Sequence, residues 1–369
     1  MRALWIVRDN LERHPGGDTT QILQTARALR ELGVVVDLTT DPGARLGTYD
    51  VVHLFHLDRL WEHLPLCPAL RAAGRPVVLS TIYWPSDEFD RHGRRGLQGW
   101  LARRVGTERY QTLRQWQRYA LDRLRRGRLR RPARAMWSFH RAVRHLLDHV
   151  AVILPNSDTE QRIIEKRFGP LPPAVVVPNA VEPRALAADQ QPAERHGVLC
   201  VGRIEPRKNQ LALIQALRDS DIELTIVGNA GRFNRRYARQ CRRAAGGNVT
   251  FLDHQPPGRL GRLYRQARVH ACVSWYETPG LASLEAGLCG CNLVLTPGGS
   301  TREYFGRWGF YCSPDDPRSI RAAVEAALAA PPADELAAHI TAHYNWQAAA
   351  RQTLAGYELA LETRGERTS

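Results

Sequence analysis

Twelve short apolar runs limit what this chain can fold into. The first six read "ALWIV", "VVVDLTT", "DVVHLF", "PVVLSTI", "AVILPNS" and "AVVVPN"; the second six read "GVLCVGRI", "ELTIVGN", "NVTFLDH", "VHACVSW", "CNLVLTPG" and "GFYCSP". They are continuous rather than alternating, the pattern of strands buried on both faces in a parallel sheet. Helical stretches such as "NQLALIQALRD" and "GRLGRLYRQA" separate them. Two successive β-α series predict an α/β protein of two doubly wound, Rossmann-like domains, and 369 residues suit that number. The break falls in "VPNAVEPRALAADQQPAERHG", giving domains of residues 1–185 and 186–345. Residues 346–369 are expected to form a C-terminal helix that packs back towards the N-terminal domain, with a disordered tail in "TRGERTS". Ligands of such sheets bind beyond the carboxyl ends of the strands, and the cleft between two such domains is the default site.

With 43% hydrophobic and 24% charged residues the composition is that of a soluble globular protein. No apolar run approaches the ~18 residues of a membrane span. "MRALWIVRDN" is too short for a signal-peptide core, so the expectation is a cytoplasmic protein. Cys67, Cys200, Cys241, Cys272, Cys289, Cys291 and Cys312 are scattered, without a C-x-x-C, and read as buried free thiols. The spacing offers no zinc site, and no metal or cofactor is expected.

The net charge of +15 has one address. Residues 91–144 hold seventeen arginines, no lysine and two acids, Glu108 and Asp122. The remainder is neutral. Two helical stripes run through this insertion, placed at 91–148: Leu113, Trp116, Ala120 and Leu124, then Met136, Phe139, Val143 and Leu146. Both are expected to dock on the N-terminal domain, leaving a cationic surface. That surface suits a solvated face or an anionic membrane at the inner leaflet. Lysine occurs only at Lys166 and Lys208, which marks Lys208 as a place that wants a compact ammonium.

Two stretches carry chemistry. In "ETPGLASLEAG", Thr278 is predicted as the N-cap of a helix with Pro279 at its first position. The amides of Gly280 and Leu281 then point out of the helix end and favour an anion. Glu277 and Glu285 flank that end, and each can accept hydrogen bonds from a vicinal diol. In "LCVGRIEPRKNQLALIQAL", Gly202, Arg203 and Lys208 follow a buried strand, a fork and a point charge suited to a diphosphate.

Together these stretches resemble the retaining GT-B glycosyltransferases of family 4. "GGDTTQILQTARALRELGVVVDLTT", "DVVHLFH", "ILPNSDTEQRIIEKRFG" and "VVVPNAVEP" are similar to other segments of that family, so the resemblance covers nearly the whole chain. It implies two Rossmann-like domains facing across a cleft, and transfer of a sugar from a nucleoside diphosphate sugar to a hydroxyl acceptor, such as a lipid-linked or cell-surface glycan precursor. It implies no divalent metal, the leaving diphosphate being held by positive side chains and a helix end. By the same resemblance Arg203 and Lys208 hold the diphosphate, Glu277 meets the transferred sugar and Glu285 the ribose. Gly16 and Gly17 form the loop over the donor, and Asp253 in "FLDHQ" lies near the base. The chain departs from the family where "LSTIYW" puts Tyr83 in place of a histidine, and where Asn179-Ala180 replaces Asn-Gly. Tyr83, His53 and His56 are the acceptor-side candidates.

Three other readings compete. A nucleotide-sugar epimerase uses the same fold and needs no acceptor. A nucleic-acid-binding protein would explain the charge, but no RNA- or DNA-reading motif accompanies it, so no specific nucleic-acid partner is expected. A dinucleotide-dependent dehydrogenase would need a Gly-x-Gly-x-x-Gly after the first strand, and none is there.

Overall fold

The computed structural model describes residues 1–11, 16–41, 46–94, 96–126, 134–186, 194–278 and 280–368. Pro279, the proline expected at the first helical position, and Arg128 to Arg131 of the basic insertion lie outside the described residues. The chain divides into two compact units. The first comprises Met1–Trp84, Trp100–Pro178 and Trp346–Ser369; the second comprises Pro85–Gly99 and Asn179–Asn345.

The first unit holds a five-stranded sheet in the order β2-β1-β3-β4-β5. Its strands are β1 (Arg2–Ile6), β2 (Val35–Thr39), β3 (Val51–Phe55), β4 (Val77–Ser80) and β5 (Val152–Leu154). The second holds six strands in the order β11-β10-β9-β6-β7-β8: β6 (His196–Val201), β7 (Leu224–Val227), β8 (Val249–Leu252), β9 (Ala267–Cys272), β10 (Asn292–Leu295) and β11 (Gly309–Tyr311). All pairings are parallel. The strand direction of travel reverses between β1 and β3 in the first unit and between β6 and β9 in the second. Those reversals are where an open parallel sheet leaves a crevice at its carboxyl edge.

Eleven of the twelve apolar runs are strands. The exception, "AVVVPN", makes an isolated bridge from Ala174 to Ile153. It follows Pro172 and Pro173, which have no amide to give to a ladder, and another proline, Pro178, closes the run.

The helix Trp346–Thr368 belongs to the first unit. It continues through "TRGERT", so the expected disordered tail is helical as far as Thr368. Tyr357 fixes this helix to the sheet. Its hydroxyl accepts from Trp5 Nε1 at 2.7 Å and lies 2.7 Å from His53 Nδ1, while His53 Nε2 is 2.9 Å from Ser80 Oγ. Indole nitrogen can only donate, and the arrangement that also uses the tyrosine proton sends it to His53 Nδ1, with the imidazole donating from Nε2 to Ser80. Burial pushes the His53 pKa down to about 3, which keeps that ring neutral.

The basic insertion is divided between the units. Residues 85–99, which the sequence reading placed within the N-terminal domain of residues 1–185, group with the second unit. There His92 stacks on Trp275 with centroids 6.5 Å apart, and Phe89 lies 6.4 Å away. Gly93 packs so closely that a Cβ there would come within 2.4 Å of the Trp275 ring. The rest of the insertion forms the end of helix Gly96–Val105 and the helices Thr107–Arg126 and Phe139–Leu147 of the first unit, with a short turn, Arg134–Trp137, before the last. Met136, Phe139, Val143 and Leu146 are buried, as their stripe requires. Of the other stripe only Trp116 packs against the core. Helix Thr107–Arg126 buries Tyr110, Gln115 and Tyr119, whereas Leu113, Ala120 and Leu124 face solvent.

All seven cysteines are free and buried. Among the described residues no helix is long and apolar enough to cross a membrane.

Candidate active site

The second unit brings Lys208 and Glu277 together at the reversal between β6 and β9. After β6 the chain turns through Gly202, at φ 149°, a value that only glycine adopts without strain. It then enters the short turn Pro206–Lys208. Lys208 Nζ reaches Glu277 Oε1 at 2.6 Å, and Arg207 Nη1 reaches the same oxygen at 3.3 Å. Burial alone would push the Glu277 carboxyl up; Lys208 and Arg207 outweigh it and hold the pKa down to about 2. Glu277 is therefore a buried, fixed anion with two cations on one oxygen.

Arg207 was missed by sequence reasoning. It donates to the Tyr276 carbonyl at 2.9 Å and to Glu205 at 3.1 Å, and its guanidinium lies over the Tyr276 ring. The Trp275 amide in turn bonds the Arg207 carbonyl at 2.9 Å. These bonds tie the loop after β6 to the loop after β9. The available signal was a second cation directly beside Lys208 in "EPRKN". Arg203 behaves differently: its side chain is 56% exposed and lies 3.7 Å from Glu205. It stands at the exposed edge of the cluster.

The loop after β10 supports Glu277 from behind. The Glu277 amide donates to Gly298 at 3.1 Å, and its carbonyl accepts from Ser300 at 2.9 Å. A Cβ on Gly299 would fall 1.8 Å from the Glu277 carbonyl oxygen. The Gly-Gly pair in "TPGGS" is thus required by the approach of a neighbouring backbone.

Helix Leu281–Leu288 begins two residues later than predicted. Its N-cap is Gly280, at φ 96°, and no side chain caps it; the Gly280 carbonyl accepts from Ser283 and Leu284. Thr278 is not the cap, and its carbonyl instead accepts from Asn179 Nδ2 at 3.2 Å. The amides of Leu281 and Ala282 have no partner among the described residues, so the electropositive helix end is open. Asn179, which stands where the family has Asn-Gly, also gives its amide to Tyr304 Oη at 2.9 Å.

Glu285 lies half-buried on this helix and accepts from Tyr264 Oη at 3.0 Å. Burial raises its pKa to about 7, with the tyrosine hydroxyl opposing. The two glutamates thus differ in kind: Glu277 stays charged and Glu285 titrates near neutrality. Asp253 is exposed in the loop after β8, its carbonyl accepting from Gln255 Nε2 at 2.8 Å.

In the first unit, a pocket of about 70 Å³ opens at the other reversal, lined by Ile6, Arg8, His56, Arg59, Glu62 and Tyr119 among others. His56 Nε2 lies 3.2 Å from Asp18 Oδ2, and Arg8 Nε bonds the same oxygen at 2.7 Å. Burial opposes ionisation of Asp18, but His56 and Arg8 hold its carboxyl far below the usual range. Gly16 caps and Gly17 opens the helix Gly17–Glu31, which carries Asp18. Of the acceptor-side candidates, only His56 lines this pocket. His53 is locked in the core network described above. Tyr83 is 5% exposed, with its ring against Phe168 and its amide bonded to Glu160 at 2.8 Å.

One further cluster bears on metals. Cys67, His145 and His149 each place a ligand atom within 4.8 Å of the others. The Arg71 guanidinium sits 3.4 Å from His149 Nε2, where its positive charge opposes a cation.

Residues 184–345 match the family model of glycosyl transferases group 1. The D-inositol 3-phosphate glycosyltransferase of Thermobispora bispora is 26% identical, the match covering 94% of this chain and 90% of that protein. Against other curated relatives of the same name the chain spans only about half of their length. Sucrose-phosphate synthase from Thermosynechococcus elongatus superposes with a TM-score of 0.72 at 17% identity, covering 97% of this chain and 98% of the other. The structure of Anabaena HepE in complex with UDP and glucose covers 100% of both chains, with a TM-score of 0.63 at 15% identity. Residues 184–345 therefore belong to the glycosyl transferases group 1 family, within a chain that has the GT-B fold.

Proposed function

We propose that the protein moves a sugar from a nucleoside diphosphate sugar to a hydroxyl acceptor, with retention at the anomeric carbon. The observation that carries this is the buried Lys208–Glu277–Arg207 cluster beside the open end of helix Leu281–Leu288. Lys208, the exposed Arg203 and the amides of Leu281 and Ala282 supply positive charge for a departing diphosphate, the role that a divalent metal plays in other phosphate chemistry. Gly202 and Gly280 let the diphosphate approach the backbone. Glu277, held ionised, accepts hydrogen bonds from the sugar, and Glu285 accepts from the ribose diol. Asp253 stands towards the base. Anabaena HepE is described with UDP and glucose, so UDP sugars are the first donors to try.

A carboxylate that already holds two cations is a poor nucleophile, so Glu277 is assigned to binding. The acceptor hydroxyl attacks the anomeric carbon on the face from which the diphosphate leaves. The new C–O bond forms as the bond to the diphosphate breaks, and the hydroxyl proton passes to the departing diphosphate oxygen. The pocket lined by Arg8, His56 and Arg59 is the acceptor-side assignment, with a lipid-linked or cell-surface glycan precursor as the acceptor class. The helix of Gly16 and Gly17 borders it.

The deciding experiment supplies nucleotide sugars with and without a panel of hydroxyl acceptors. Release of nucleoside diphosphate together with an acceptor glycoside of unchanged anomeric configuration is expected. Isomerisation of the sugar nucleotide without acceptor would establish the epimerase reading instead.

Glu285 gives a pH signature. The intact donor's diphosphate has no proton to lose near neutrality, whereas Glu285 titrates at about 7. Only its ionised form accepts from both hydroxyls of a diol. Donor affinity should rise as pH increases through 7, with a limiting slope of about tenfold per unit on the acid side. Glu285→Gln should flatten the profile. Folding stability moves the other way: a carboxyl whose folded pKa is raised binds more protons than the unfolded chain, so its stabilising contribution is lost as pH rises from the usual carboxylate range through 7. Isothermal titration from pH 5.5 to 8.5 checks the binding profile; an unchanged slope in the variant removes Glu285 from the donor site.

A further inference from the structure

We infer that helix Thr107–Arg126 is an interfacial anchor that lays the first unit on an anionic bilayer. The helix has two apolar faces. One, with Gln115, Trp116 and Tyr119, packs on the unit; Tyr110, near the start of the helix, is also buried. The other places Leu113, Ala120, Leu121 and Leu124 within one side of the helical wheel, at spacings of seven, one and three residues. Leu113, Leu121 and Leu124 are 50%, 47% and 81% exposed. Trp137 is 76% exposed, and its ring lies 5.0 Å from that of Trp116, so it extends the patch beyond the helix. Trp100, on the preceding helix Gly96–Val105, is 53% exposed. Of eleven exposed large hydrophobics among the described residues, six fall between Leu97 and Trp137. Their concentration in about a tenth of the chain separates them from the scattered surface leucines of any protein.

Arginines border the stripe. Arg109 lies one turn before Leu113, Arg114 on one side and Arg123 on the other, while Arg103 and Arg104 are exposed on the preceding helix. An outward apolar stripe with basic flanks and tryptophan beside it is how a helix lies in the headgroup layer of a membrane. The charge selects among occupants. Nucleic acid would answer the arginines but leave the leucines wet. A second copy would bring the same excess of seventeen arginines over two acids against its like. An anionic bilayer satisfies both parts at once. The inference stands apart from the sugar-transfer reading, since it needs only this surface.

The test is co-sedimentation with phosphatidylcholine vesicles containing either no anionic lipid or about a third phosphatidylglycerol. The wild-type protein should be recovered at least tenfold better on the anionic vesicles at low salt. Leu113→Gln/Leu121→Gln/Leu124→Gln should lose most of that recovery even at low salt, with the far-ultraviolet spectrum unchanged because all three residues are exposed. Arg103→Gln/Arg104→Gln/Arg109→Gln/Arg114→Gln should lose the salt-sensitive part. Brominated lipid should quench more fluorescence in the wild type than in Trp137→Phe. Equal recovery on both vesicle types, no recovery on either, or full recovery of the leucine variant would each overturn the inference. Binding to single-stranded RNA that the leucine variant keeps, with no vesicle binding, would show the patch to be a polyanion surface.

Discussion

Lys208→Ala should lower kcat for a nucleotide sugar by about 100-fold, the scale seen when one preorganised donor to a developing anion is removed. Lys208 Nζ sits 2.6 Å from Glu277 with only 16% of its side chain exposed, so its charge is held in place before the donor arrives. That is the condition under which a cation stabilises a leaving group without reorganising. Arg203→Ala should cost about tenfold or less, because its guanidinium is more than half exposed and screened by solvent. Lys208→Arg should restore only part of the loss, since a planar fork cannot fill the place of a compact ammonium. Removing Lys208 also leaves Glu277 with Arg207 alone, and breaking a buried pair destabilises. Steady-state kinetics must therefore be paired with a melting curve. Combining Lys208→Ala with Glu277→Gln should cost less than the sum of the two single losses, because the groups share one interaction. A Lys208→Ala enzyme with wild-type kcat would remove this cluster from the chemistry.

Tyr357→Phe should destabilise the first unit by about 2–4 kcal/mol. The substitution leaves the Trp5 indole N–H without an acceptor and His53 Nδ1 without a donor, both in the core. Each orphaned buried group costs roughly 1–3 kcal/mol. The two units need not unfold together, so a single melting temperature is a poor readout. Hydrogen exchange resolves it: amides of β1 and β3 should exchange roughly 30- to 1,000-fold faster, following from that free energy. Binding of a nucleoside diphosphate to the second unit should be unaffected. Unchanged protection in β1 and β3 would show that the network carries no net stability.

The strands were legible because burial on both faces leaves an uninterrupted apolar run, and eleven such runs sit where the pattern places them. The Lys208–Glu277 pair was legible in part, because a lysine in a chain whose other basic residues are nearly all arginine and a carboxylate beside a proline-glycine turn stand out locally. Arg207 was not, because its partners, Tyr276 and Glu277, are some seventy residues away in sequence. The same limit explains His53. Its sequence neighbours suggest a ligand-facing edge, and only the packing of Tyr357, 304 positions later, shows it to be a satisfied core residue. The stripe of Leu113 and Leu124 failed for another reason. Periodicity identifies an apolar face but not what covers it, and this helix has two such faces. Gly280 took the cap from Thr278 because its left-handed φ lets the chain enter the helix at a sharper angle than threonine favours.

The helix Trp346–Thr368 has a consequence for how the chain is made. β1 emerges from the ribosome first, yet the hydroxyl that completes its Trp5 contact lies at Tyr357. The second unit's six strands, all between residues 196 and 311, are synthesised in between. The second unit can therefore close while the first sheet still lacks a layer, reversing the usual order in which the earlier-made unit matures first. Until that helix arrives, β3 and β4 keep apolar surface open to the cell. Nascent chains stalled before residue 346 should thus engage a chaperone, and those extended beyond the helix should be released from it.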